Sequence, residues 1–93
     1  MASKDEIDKV WGKGRKIPGK NQDLYRKDAH GNPIYKPSYG KSGEKSWHID
    51  HVVPVAAGGS NSLSNKQPLQ ARANLQKSDK YPVKPGSLKQ PKK

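Results

Sequence analysis

Cysteine is absent from this chain, which excludes disulfides and thiolate-bound structural zinc as sources of stability. Phenylalanine is absent too, methionine occurs once and tryptophan twice, and apolar residues make up only 29% of the 93 positions. A core built from so few side chains is small. A single domain of this length is marginal unless a bound ion or a partner supports it. Long apolar runs are also missing, so no stretch approaches a membrane span and no membrane partner is expected. The opening MASKDEIDKV is polar and acidic, unlike a secretory leader, and makes a cytoplasmic protein the expectation. Negative charge is scarce: 8 acidic side chains stand against 19 lysines and arginines, for a net charge of +11. Such an excess attracts polyanions and speeds encounter with them, which points towards nucleic acid. Charge alone fits a solubilising surface equally well.

Local patterns give the organisation. Ile7, Val10 and Trp11 share one face at helical spacing, and Ser3 with Glu6 fits a capping box, so a short packing helix is expected over 5–12. Residues 13–22 are basic and glycine-rich and read as a loop. LYRKDA and PIYK flank His30-Gly31-Asn32, the pattern of a hairpin over 24–36, with Pro33 at a strand start and His30 solvated. Trp47-His48-Ile49-Asp50 alternates apolar and polar, as a half-buried strand does, with Trp47 and Ile49 inward. Residues 65–69 form a short return strand limited by Pro68, and 69–79 read as a helix. Ala71, Asn74 and Leu75 lie on its inward face, with Arg72 nearly opposite Asn74. One domain spans 1–80, with its motif core at 47–80. The lysine- and proline-rich stretch 81–93 is expected to be a flexible basic tail.

The chemistry concentrates between Trp47 and Lys80. Asp50 is a hard oxygen ligand at a strand end and Asn74 offers an amide oxygen from the helix. Together with waters and phosphate oxygens they suit Mg²⁺, with Mn²⁺ as a substitute, better than zinc. His51 can accept a proton from water near neutrality. Adjacent strand residues point to opposite faces, so Asp50 and His51 address one site only if the strand ends or bends there. A strand Asp beside a His is also a common pairing of plain surface residues.

Taken together, Asp50-His51-Val52-Val53-Pro54, Gly58-Gly59, Asn65-Lys66-Gln67-Pro68-Leu69 and Asn74-Leu75-Gln76-Lys77 resemble the HNH endonuclease family in order and separation. The resemblance covers about a third of the chain. It implies an α+β fold: a ββα-metal (His-Me) finger, here with an N-terminal helix and a second short hairpin. It implies that Asp50 and Asn74 hold one divalent ion, that His51 is the general base, and that Asn65 ties the loop together and holds the base. Asn74 stands where the family's final His is usual, which favours oxygen-preferring metals. His48 stands where many members carry an acid and is a third ligand, a substrate contact or a surface residue. Lys77, Arg72, Lys66 and Arg26 are the candidate nucleic-acid contacts. The implied activity is hydrolysis of DNA, with RNA as an alternative substrate, at low sequence specificity. The products would be a 5′ phosphate and a 3′ hydroxyl, made without any small-molecule cofactor and, by default, by a monomer. The competing expectation is a non-catalytic nucleic-acid-binding module that keeps the scaffold.

Overall fold

A computed structural model describes residues 2–77, 81–83 and 86–88. Helix α1 (Lys4–Trp11) leads into strands β1 (Arg15–Lys16), β2 (Tyr25–Lys27) and β3 (Pro33–Tyr35), then β4 (Trp47–His51), β5 (Lys66–Gln70) and helix α2 (Ala71–Lys77). The strands form two antiparallel sheets, β1-β2-β3 and β4-β5, so the protein is α+β, with two α-helices among the described residues. β4, β5 and α2 are consecutive and make one ββα unit.

α1 forms as its sequence requires. The Ser3 hydroxyl accepts the Glu6 N–H at 3.1 Å, while the Glu6 carboxylate, rather than closing the capping box, pairs with Lys66. Val10 and Trp11 are buried against Ile34 and Trp47, with Ile7, Tyr39 and Ile49 packed around them. The two indoles lie 5.2 Å apart, and each N–H reaches a carbonyl, Gln22 for Trp11 and Lys36 for Trp47. Full burial of such side chains contributes about 2 kcal/mol each, so this cluster is the main apolar anchor of a molecule poor in apolar residues. Between the sheets, the polar anchor is Asp28. Fully buried, it accepts the N–H groups of His30 and Asn32, the Asn32 amide, and the N–H of Gln70 at 2.9 Å. A buried carboxylate is tolerated only with such a set of donors, and this one fastens the β2–β3 turn to the end of β5.

Several expectations change. The loop over 13–22 contributes a strand, because Arg15 and Lys16 pair with Lys27 and Arg26. His30 is buried, not solvated: its Nδ1 accepts the N–H groups of Gly86 and Leu88. Where it is described, the end of the chain packs against the rest of the protein. Leu88 is buried against Leu69 and Ala73, and its carbonyl accepts the Asn32 amide at 2.7 Å. Residues 78–80, 84–85 and 89–93 of the expected helix end and tail lie outside the described residues. α2 starts at Ala71 because Gln70 caps it, its side-chain oxygen accepting the Ala73 N–H at 2.9 Å. Its buried face is Ala71, Ala73 and Lys77; Leu75, expected inward, is 80% exposed. The apolar pattern misplaced that face because a lysine, neutralised by a carboxylate beneath it, occupies a core position. No helix among the described residues is long and apolar enough to cross a membrane.

Candidate active site

β4 pairs with β5 from Trp47↔Gln70 to His51↔Lys66, placing Asp50 opposite Gln67. Beyond His51 the chain leaves the sheet and turns through Pro54 and a 3₁₀ turn over Val55–Ala57. Asn65 holds this return like a backbone surrogate. Its carboxamide accepts the Val53 N–H at 2.9 Å and donates to the carbonyls of Val53 and Ser60 at 3.0 and 2.7 Å, while its own carbonyl takes the Val52 N–H. Gly59 passes so close beneath that a Cβ there would lie 1.8 Å from the Val53 carbonyl oxygen, so no other residue fits without moving the loop. Asn65 therefore sits under the loop and is absent from the lining of the site itself.

Lys77 shapes the strand end. Only 2% exposed, it donates from Nζ to Asp50 Oδ2 at 2.7 Å, to the His51 carbonyl at 2.6 Å and to the Val52 carbonyl at 3.3 Å. Three consecutive residues thus curl around one ammonium. In a straight strand Asp50 and His51 would face opposite ways. Here both line one open cavity of about 320 Å³, together with Ile49, Pro54, Val55 and Asn74 from α2. The structure therefore brings together Asp50, His51 and Asn74, from a strand end and a helix.

The donors of this cavity have distinct characters. Asp50 is 7% exposed; its Oδ2 accepts from Lys77 and from Gln67 Nε2 at 3.0 Å. The same carboxylate's Oδ1 accepts no hydrogen bond among the described residues. His51 Nε2 lies 2.9 Å from the Asn61 carboxamide oxygen. Because that oxygen can only accept, Nε2 carries the proton, and in the neutral ring Nδ1 holds the lone pair. Among the described residues no three His, Cys, Asp or Glu side chains gather at one point. The Asp50 carboxylate and Asn74 carboxamide are nonetheless a hard oxygen set, and with waters and a phosphate oxygen they fit a magnesium-like ion.

The other candidates lie elsewhere. His48 donates from Nε2 to the Lys41 carbonyl at 3.1 Å and lines a neighbouring cavity with Arg72 and Asn74. The remaining three expected nucleic-acid contacts have partners within the protein. Lys77 is bound to Asp50. Lys66 is buried and paired with Glu6. Arg26 donates to the carbonyls of Gln22, Gly12 and Gly14 at 2.9–3.1 Å and stacks its guanidinium over Trp11. A buried cation must be paired or hydrogen-bonded to be tolerated; Lys77 and Lys66 are buried in this way, whereas Arg26 stays half-buried with its guanidinium engaged by those carbonyls. Sequence reasoning missed Asn61 and Gln67. The first stands in an undistinguished polar run. The second could have been found from strand register, which sets it across from Asp50.

Comparison with known proteins agrees with the cavity's composition. No curated protein and no solved structure matches the chain. A family model described as HNH endonuclease matches residues 40–83, a stretch that includes β4, β5 and α2 with Asp50, His51, Asn65 and Asn74. Over that stretch, a little under half of the chain, the protein is similar to the HNH endonuclease family.

Proposed function

We propose that the protein is a metal-dependent DNA endonuclease whose reaction takes place in the cavity of Asp50, His51 and Asn74. The observation that carries this reading is the convergence of a carboxylate, an imidazole with a fixed tautomer and a carboxamide on one open cavity. Asp50 Oδ1 and the Asn74 carboxamide oxygen would hold the ion, and the ββα unit would then be a metal finger. When bound, the ion supplies charge stabilisation for the phosphate under attack and for its departing oxygen. The Nδ1 lone pair of His51 takes the proton from the attacking water, and Asn61 holds the ring so that this lone pair stays available. Asn65 and Gly59 keep the loop beside the base in place. Lys77 anchors Asp50 and takes no part in the proton transfer. Attack by water with departure of the 3′ oxygen leaves a 5′ phosphate and a 3′ hydroxyl.

The test is cleavage of supercoiled plasmid. Wild type nicks it with Mg²⁺ or Mn²⁺ and not in EDTA, and His51→Ala lowers the rate by about 100-fold or more, as expected for loss of a general base. Equal nicking by His51→Ala removes the base from the mechanism. One observation favours the second reading, a non-catalytic nucleic-acid-binding module: the Lys77 ammonium already neutralises Asp50 at 2.7 Å. Salt-sensitive DNA binding without cleavage under any divalent ion would select that reading.

A further inference from the structure

Of the four cations the sequence offered for phosphate contact, only Arg72 makes no ion pair or hydrogen bond among the described residues. It rises half-buried from α2 into an open cavity of about 360 Å³ that it lines with Lys41, Ser42, His48, Asn74 and Leu75. Four features of this cavity point to an anionic ligand. Among the described residues no carboxylate lines it, although Asp50 lines its neighbour. Lys41, like Arg72, has no carboxylate partner among the described residues, so two positive groups meet there without a counter-charge. His48 holds the Lys41 backbone through its Nε2–H, which fixes the loop carrying Lys41 and Ser42 against β4. Lastly, Asn74 is a shared wall: it lines both this cavity and the one containing Asp50 and His51.

We infer that the Lys41–Ser42–Arg72 cavity binds a phosphodiester of a nucleic-acid strand, the one next to the phosphate that enters the Asp50–His51 cavity. The strand crosses Asn74 between them. Arg72 and Lys41 neutralise the phosphate, with the guanidinium offering paired donors to two of its oxygens. The Ser42 hydroxyl supplies a further donor, and the exposed side chain of Leu75 rests against the adjoining sugar. Such interactions set the register of the strand without reading bases. The inference rests on the endonuclease reading only for what occupies the neighbouring cavity.

Binding of labelled single-stranded DNA, followed by fluorescence anisotropy in EDTA over a range of salt, separates the two. In wild type, log K falls with log salt. Arg72→Gln and Lys41→Gln should each flatten that slope by about 0.7, the change expected when one phosphate of a single strand is no longer neutralised. Arg72→Lys should restore the slope and Lys27→Gln, on β2, should leave it unchanged. In cleavage assays Arg72→Gln should raise KM with little change in kcat, because a non-scissile phosphate is held equally in ground and transition states. Unchanged slopes in Arg72→Gln and Lys41→Gln, or a Lys27→Gln effect of the same size, would overturn the subsite in favour of diffuse surface charge. So would the absence of DNA binding at any salt. Flattened slopes in a protein that never cleaves would keep the subsite and reject only the endonuclease reading. Normal cleavage with unaltered slopes and KM in both variants would do the reverse.

Discussion

Among individual side chains the decisive one is Lys77, whose ammonium is the hub on which the strand end turns. Removing one member of a buried ion pair leaves the other charge uncompensated and costs about 3–5 kcal/mol. Lys77→Met is therefore expected to lose stability of that order in EDTA, measured by urea unfolding. It also leaves a bare carboxylate in the cavity, and ligand charge sets affinity for hard cations. Mn²⁺ binding, measured by electron paramagnetic resonance without DNA, should be weak in wild type and tighter in the variant. Millimolar Mn²⁺ should recover part of the variant's lost stability, since a ligand that binds only the folded state stabilises it. A stability loss that Mn²⁺ does not touch would show that Asp50 and the ion do not meet.

At the level of elements, short pieces are held by contacts distant in sequence. α2 has seven residues and could not persist alone. It is held by its Gln70 cap, by Lys77 beneath, and by Leu88, which closes the small cluster of Leu69 and Ala73. Leu88→Ala should cost about 2 kcal/mol or more of stability, and because the cluster backs the ββα unit, cleavage should lose its upper temperature range in step. Denaturant melts of the two proteins check this. α1 is tied at its middle by Lys36, whose Nζ lies 2.9 Å from Asp8 Oδ1. That hydrogen bond holds the Asp8 carboxyl below its ordinary range, against a smaller opposing effect of desolvation, with the charges of Lys36 and Lys4 helping. A carboxyl with a lowered pKa in the folded state contributes stability that is complete above its unfolded value. It is lost as pH falls through the folded one. Acid unfolding of Asp8→Asn should thus match wild type at low pH and fall slightly below it from about pH 5 upward, the effect being small because the pair is solvent-exposed.

The whole molecule carries a charge of +11, and most of the lysines and arginines among the described residues stay exposed. Attraction to a polyanion of this kind acts on encounter and is screened by salt. Cleavage at sub-saturating DNA should therefore slow by about ten-fold or more between roughly 50 and 200 mM salt, while the rate at saturating DNA changes little. Steady-state kinetics over that range measure both. A salt-independent kcat/KM would mean that the basic surface serves some other partner.

What could be read from the chain alone are the features that depend on near neighbours. The cap at Ser3, the apolar face of α1, the turn at Gly31 with its positive φ and the alternation through β4 are all set by residues within a few positions of one another. The order of Asp50, His51, Asn65 and Asn74 likewise stood in the chain and carried the resemblance to the family that the comparison supports. Folding in three dimensions was needed to settle which cations remain at the surface, why His30 and Asp28 are buried, and how Asp50 and His51 come to share a cavity with Asn74. Each of those outcomes is the pairing of a polar group with a partner distant in the chain: Lys77 with Asp50, Lys66 with Glu6, Asp28 with the N–H of Gln70. Periodicity counts a lysine or an aspartate as a surface residue. The cost of burying a charge is offset once a distant counter-charge or donor meets it, and only the folded chain determines whether that meeting occurs.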